Sequence, residues 1–122
     1  MSEVRVRAAR GAIHVDDDSS DEVLSATERL LTQMLERNEV AAGDIVCAFF
    51  TVTDDLRSVF PAEAARRMGL GRVPLLCAQE IPVEGSMRGV IRVLLQFHTA
   101  RGPAEVKHVY LDGAETLRDD LG

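Results

Sequence analysis

An arginine sits in the middle of an apolar strand-like run, Val90-Ile91-Arg92-Val93-Leu94-Leu95-Gln96-Phe97. A guanidinium stays charged in any protein environment. Left buried and unpaired it costs roughly several kcal/mol. Alternation puts Ile91, Val93, Leu95 and Phe97 on one face, and Val90, Arg92, Leu94, Gln96 and His98 on the other. Two readings follow. Either the second face is partly solvated and Arg92 is a surface charge, or Arg92 lines a pocket between Val90 and Leu94 and meets an anion.

Other residues could share that chemistry. Arg10 falls on the parity of Val4, Val6 and Ala8, so the alternation assigns it to the buried face, as an ion pair or an anion ligand. Arg66, in PAEAARR, reads as a solvated helix residue or a second anion contact, and Arg118 as a surface charge near the C-terminal end. Glu80 ends the run VPLLCAQE and reads as an exposed strand-end acid or a pocket carboxylate. Cys77, in the same run, has no histidine or carboxylate spaced to activate it, so packing is its first reading. Tyr110, the only tyrosine, suits a half-buried edge position with its hydroxyl free. Phe60 reads as core or interface. His14, His98 and His108 form no cluster in sequence. Several arginines and one acid from different segments, with no phosphate loop, no C-x-x-C and no H-E-x-x-H, suit binding and electrostatic catalysis on a small anion. No metal and no cofactor is expected.

The bulk properties agree. The chain has 122 residues, a common single-domain size, so one domain over residues 1–122 is expected. A net charge of −6 argues against nucleic acid and anionic membranes as partners while leaving room for a local basic pocket. Cys47 and Cys77 lie in apolar runs and read as buried, reduced thiols. No run approaches the ~18 apolar residues of a membrane span, and the N-terminal residues show no leader pattern. A cytoplasmic protein is the expectation.

The elements that must position these residues read as follows. Residues 4–15 alternate like a strand, with the apolar parity changing near Arg10-Gly11 as at a glycine bulge. Ser19-Ser20-Asp21-Glu22 offers a capping box, and Val23 to Leu35 recur at helical spacing, giving a helix that ends near Asn38. Residues 41–44 read as a turn or as one helical turn. IVCAFFTVT, 45–53, is apolar on both parities, which suits a central strand covered on both faces. Strand, helix and strand suggest a right-handed βαβ unit. Pro61 suits a helix N1 position, with a short helix over 62–68 stopped by Gly69. Strands follow at 73–79, 87–99 and 107–111, and residues 112–122 form a tail. The fold class is α/β (α+β), a mixed five-stranded sheet on one long and one short helix. Two helices cannot cover both faces of five strands, so a homo-oligomer is expected.

Five blocks together carry a resemblance: RGAIHV (10–15), FTVTDDLRSVFPAEAAR (50–66), VPLLCAQEIPV (73–83), VIRVLLQF (90–97) and HVYLDGAETLR (108–118). In order and spacing they resemble the monofunctional, trimeric chorismate mutases of the AroH class. The resemblance implies a homotrimeric pseudo-α/β barrel with sites at subunit interfaces, and conversion of chorismate to prephenate on the way to phenylalanine and tyrosine. It implies that Arg92 faces the breaking ether bond and that Glu80 stands near the substrate hydroxyl. It implies substrate contacts from Arg10, Phe60, Ala62, Arg66, Leu75, Leu76, Cys77 and Tyr110, with Leu117 and Arg118 in a closing C-terminal segment. Glu63 stands where some members carry lysine, and Asp119 where the family often has proline. The residues taken alone also fit a small trimeric imine deaminase of the Rid type, or a module that only binds an anionic metabolite.

Overall fold

The computed structural model describes residues 3–121, with side chains through 117. Its long helix, α1 (Ser20–Arg37), begins where local chemistry dictates. The Ser19 hydroxyl accepts the Glu22 amide at 3.1 Å, and the Glu22 carboxylate reaches back to the Asp17 amide at 3.0 Å. Orphan N–H groups are thus satisfied, and Asp21 and Glu22 meet the positive end of the helix dipole. Asn38 ends the helix, as its sequence position suggests.

Five strands form one sheet in the order β3-β2-β4-β1-β5. They are β1 (Arg5–His14), β2 (Ile45–Val52), β3 (Leu75–Gln79), β4 (Val90–Thr99) and β5 (Val109–Leu111). β4 is antiparallel to β1 and β2, whereas β5 runs parallel to β1 and β3 parallel to β2. β1 and β2 are therefore parallel to each other with β4 between them. The βαβ unit expected from the sequence is split by an inserted strand. The short helix α2 (Ala62–Arg67) connects β2 to β3.

One sheet face packs on α1. Ile13, Phe50, Ile91, Leu95 and Phe97 meet Leu30, Leu31 and Met34 there, all 1% exposed or less. Each such side chain contributes roughly 1.5–3 kcal/mol of transfer free energy. Gly11 lies directly beneath the helix: a Cβ there would come within 2.5 Å of the Met34 sulfur. The helix can sit this close to β1 only over a glycine.

The other face is open. Val6, Phe49, Leu76 and Leu94 lie on it at 49%, 39%, 59% and 36% exposure. Three strand expectations are corrected by this geometry. β1 pairs with β4 without a register break from Arg5↔Thr99 to His14↔Val90, so no bulge lies at Gly11; the irregularity is in β2, between Ile45 and Cys47. The apolar parity changes because Val4, Val6 and Ala8 belong to the open face while Ile13 and Val15 belong to the helix-covered one. Arg10 accordingly stands on the open face and is exposed. β2 is covered on one face only within the chain. Both cysteines are free but half-buried, and Phe60 is 71% exposed, so it is not core. Pro61 occupies the N-cap of α2, not its first turn. The C-terminal segment is a 3₁₀ stretch, Ala114–Leu121.

Candidate active site

Strand register builds the site. Arg92 of β4 stands opposite Ala12 of β1 and Thr51 of β2, and Tyr110 of β5 stands opposite Ala12. These four share the open face. Arg10 and Phe49, both opposite Leu94, form the next row. Arg10, Thr51, Arg92 and Tyr110, with Phe49 and Leu94, line a cavity of about 300 Å³. A strand holds an arginine stem more rigidly than a loop does, and here apolar neighbours flank it on both sides.

Arg92 is half-buried and anchored. Its Nε lies 3.0 Å from Oε1 and 3.2 Å from Oε2 of Glu80, whose side chain is 20% exposed. Thr51 donates its hydroxyl to the same carboxylate at 3.3 Å. Glu80 is fixed in turn by its backbone N–H, which donates to the Val52 carbonyl at 2.9 Å and extends the β2–β3 pairing by one residue. The carboxylate thus takes the inner nitrogen of the guanidinium. Neither terminal nitrogen bonds a described residue, so the outer edge of the fork faces the cavity. Arg10 makes no ion pair among the described residues. A second, smaller and more enclosed cavity of about 240 Å³ adjoins on the Glu80 side and brings Leu117 of the C-terminal stretch beside Arg92. Its rim holds Arg88, paired to Asp54 at 2.6 Å. Burial pushes the neighbouring Asp55 up, but hydrogen bonds from Thr53 and the Gly89 amide outweigh it and hold the carboxyl below the usual aspartate range.

The remaining expected residues lie elsewhere. Cys77 aligns with Phe50, hence on the helix-covered side of the sheet, and Leu75 aligns with buried Ala48 on that side too. Leu76 aligns with Phe49 on the open side. Cys77 lines a groove of about 520 Å³ with Phe60, Val59 and Val52. Ala62 is 2% exposed at the start of α2. Arg66 is exposed and paired with Glu63 at 3.3 Å, while Glu63 also meets Arg67 at 3.6 Å. The side chain of Arg118 lies outside the described residues. Within one chain the sheet separates two groups: Arg10, Glu80, Arg92, Tyr110 and Leu117 on one side, Phe60 and Cys77 on the other.

Two contributors escape a reading of the sequence. Thr51 is an ordinary strand threonine until the β2–β4 register places it beside Arg92. Asp18 accepts the Arg57 amide at 2.9 Å and the Ser58 amide at 3.0 Å, pinning the loop that presents Phe60. Those bonds, the Arg57 amide first, hold its carboxyl below the usual aspartate range.

A sheet-mounted guanidinium whose terminal nitrogens bond no described residue, a second arginine without an ion pair among the described residues, and a tyrosine around an apolar floor make an arrangement suited to holding a small anion and stabilising negative charge on it. Comparison with known proteins narrows this reading. Residues 6–121 match the family model "Chorismate mutase type I", and the chain belongs to that family. It is 50% identical over 117 residues to the chorismate mutase AroH of Thermus thermophilus, covering 95% of this chain and 96% of that one. It is 38% identical over 117 residues to the chorismate mutase AroH of Bacillus subtilis (strain 168), covering 95% and 92%. The fold matches a chorismate mutase structure from Clostridium thermocellum with a TM-score of 0.89 at 44% identity, over 90% of this chain and 98% of that one. The mixed sheet and two helices read from the sequence are those of the family. Among the described residues no helix is long and apolar enough to cross a membrane.

Proposed function

We propose that this chorismate mutase converts chorismate to prephenate at a site completed by a neighbouring copy, with Arg92 as the donor to the breaking ether bond. The reaction is an intramolecular [3,3] rearrangement: one carbon–oxygen bond breaks, one carbon–carbon bond forms, and no proton transfer or covalent intermediate is needed. The protein has two tasks. It must hold the flexible enolpyruvyl arm over the ring, which removes conformational freedom before the chemical step. It must also stabilise the negative charge that grows on the ether oxygen and the electron-poor ring that faces it.

The observation that carries this reading is the division of labour within the Arg92 guanidinium. Glu80 takes Nε at 3.0 Å and fixes the plane. The two terminal nitrogens remain for the substrate oxygen. Glu80 also sets negative charge beside the ring and can accept from its hydroxyl. Arg10 and Tyr110 bind carboxylate. Leu117 shields the cavity from water, and Arg118, next in the chain, is the substrate contact that the family resemblance implies.

The open face and the Cys77–Phe60 groove cannot form one pocket in a single chain. They can form one when the open face of one copy meets the β3 edge and Phe60 loop of the next. The exposed row Leu76, Phe49 and Leu94 supports this, since contiguous apolar surface of that kind marks an interface. In a closed ring the contact is heterologous, and the family resemblance favours three copies. Phe60, Arg66, Leu75 and Cys77 then stand on the neighbour's side of the site, with Ala62 seating the start of α2 behind them, Leu76 at the β3 edge where the copies meet, and Cys77 packing and not attacking. The test is a chorismate-loss absorbance assay on the purified chain together with its mass in solution. Turnover by a species of three chains is expected. Tight chorismate binding without turnover would mean a binding module instead.

A further inference from the structure

The edge of the sheet beside Arg10 is closed by an imidazole. β5 pairs with β1 only from Gly11↔Val109 onward, so the Arg10 amide lies one residue before the strand-to-strand ladder begins. His108 fills the gap: the Arg10 backbone N–H donates to its Nδ1 at 2.9 Å. The imidazole is itself held from behind. Asn38, the 1%-exposed residue that ends α1, accepts the Lys107 amide at 2.8 Å and donates to the Lys107 carbonyl at 2.9 Å. A continuous line runs from the helix end through the Lys107 peptide to His108 and on to the backbone of Arg10.

We infer that His108 is a positioning residue for substrate binding, fixing the Arg10 segment by accepting its amide on Nδ1. The inference rests on the carboxylate-binding role given to Arg10 above. It requires the neutral ring with its proton on Nε2, because only that form offers a lone pair at Nδ1. His108 is exposed as a residue, and partial desolvation of its ring first, with the Arg10 cation second, holds the imidazole below the usual histidine value. The accepting form is therefore present at neutral pH and is lost as pH falls through that lowered value. Among the described residues the charge that acts on the ring is Arg10 of β1, with Lys107 and Tyr110 its neighbours along the chain, and the end of α1 presents the uncharged Asn38.

The test compares His108→Ala with His108→Asn, whose side-chain oxygen can take the place of Nδ1. Losing one net hydrogen bond at Arg10 corresponds to roughly a three- to tenfold change. His108→Ala is expected to raise the KM for chorismate by that factor at pH 8, with kcat within about twofold of the parent. His108→Asn is expected to return KM to within about twofold. Nitrogen-15 spectra of uniformly labelled protein give a readout independent of turnover. They should show the Nε2–H tautomer at His108, with the Arg10 amide shift following its titration. An Nδ1–H tautomer, or a parental KM in His108→Ala, overturns the inference. Arg10→Ala separates the two layers. If it leaves KM unchanged, the carboxylate role of Arg10 fails; if it raises KM where His108→Ala does not, the positioning role fails.

Discussion

Replacing Arg92 with lysine keeps the charge and removes the fork. In the parent, one nitrogen of the guanidinium serves Glu80 at 3.0 Å, and the two that bond no described residue are the donors proposed for the substrate. An ammonium is a single nitrogen on a flexible stem, and Glu80 sits within its reach. It cannot hold the carboxylate and also point a fixed donor at the ether oxygen. Removing one preorganised donor of this kind costs about 2.7–4 kcal/mol of barrier, or about 10²–10³ in kcat. Fold stability should change little, because the Arg92 side chain is 39% exposed and a solvent-screened ion pair contributes roughly 0–1 kcal/mol. Arg92→Lys should therefore melt close to the parent, keep its oligomeric mass, and lose roughly 100- to 1,000-fold in kcat by chorismate-loss absorbance. KM should move far less. A variant that turns over within tenfold of the parent refutes the reasoning, because a point charge would then suffice.

Two further outcomes follow from neighbouring contacts. Glu80→Gln keeps an acceptor for Arg92 but removes the negative charge facing the ring; kcat should fall roughly 10- to 100-fold, the range of a charge-assisted hydrogen bond, and unchanged turnover would exclude an electrostatic part for Glu80. Asp18→Ala removes the acceptor for the Arg57 and Ser58 amides. Because the native carboxyl titrates below its usual value, the stability it confers is present above about pH 4 and is lost as pH falls through the lowered native value. The melting-temperature gap between parent and variant should be widest near neutral pH and close in acid; a gap independent of pH would remove Asp18 from that role.

The parts of the fold written in local chemistry were legible in the sequence. The Ser19 cap, the helical period to Met34 and the Asn38 stop define α1 without any tertiary information. Faces were harder. The sequence assigns Arg10 to a buried parity because Val4, Val6 and Ala8 share it, yet the chain supplies no cover for that face. Apolar residues on a face left open within the chain read as core, and Phe60 shows the same ambiguity. The family blocks single out Arg92, Glu80, Arg10 and Tyr110, and the strand register brings these four to one side of the sheet. Their support was not legible. Thr51, Asp18 and His108 act through register and long-range hydrogen bonds, which no spacing along the chain encodes.

The central claim is that the guanidinium on the open face and the Phe60 groove meet only between copies. Mixing two disabled variants tests it directly. Arg92→Ala destroys the open-face half, and Phe60→Asp, at an exposed position, destroys the groove half. Each alone should be nearly inactive. Unfolded together and refolded as an equal mixture, they should regain roughly a quarter of parental activity, because in a ring of random composition that share of interfaces joins two intact halves. Mixed assemblies that form but remain as inactive as the separate variants would contradict the account.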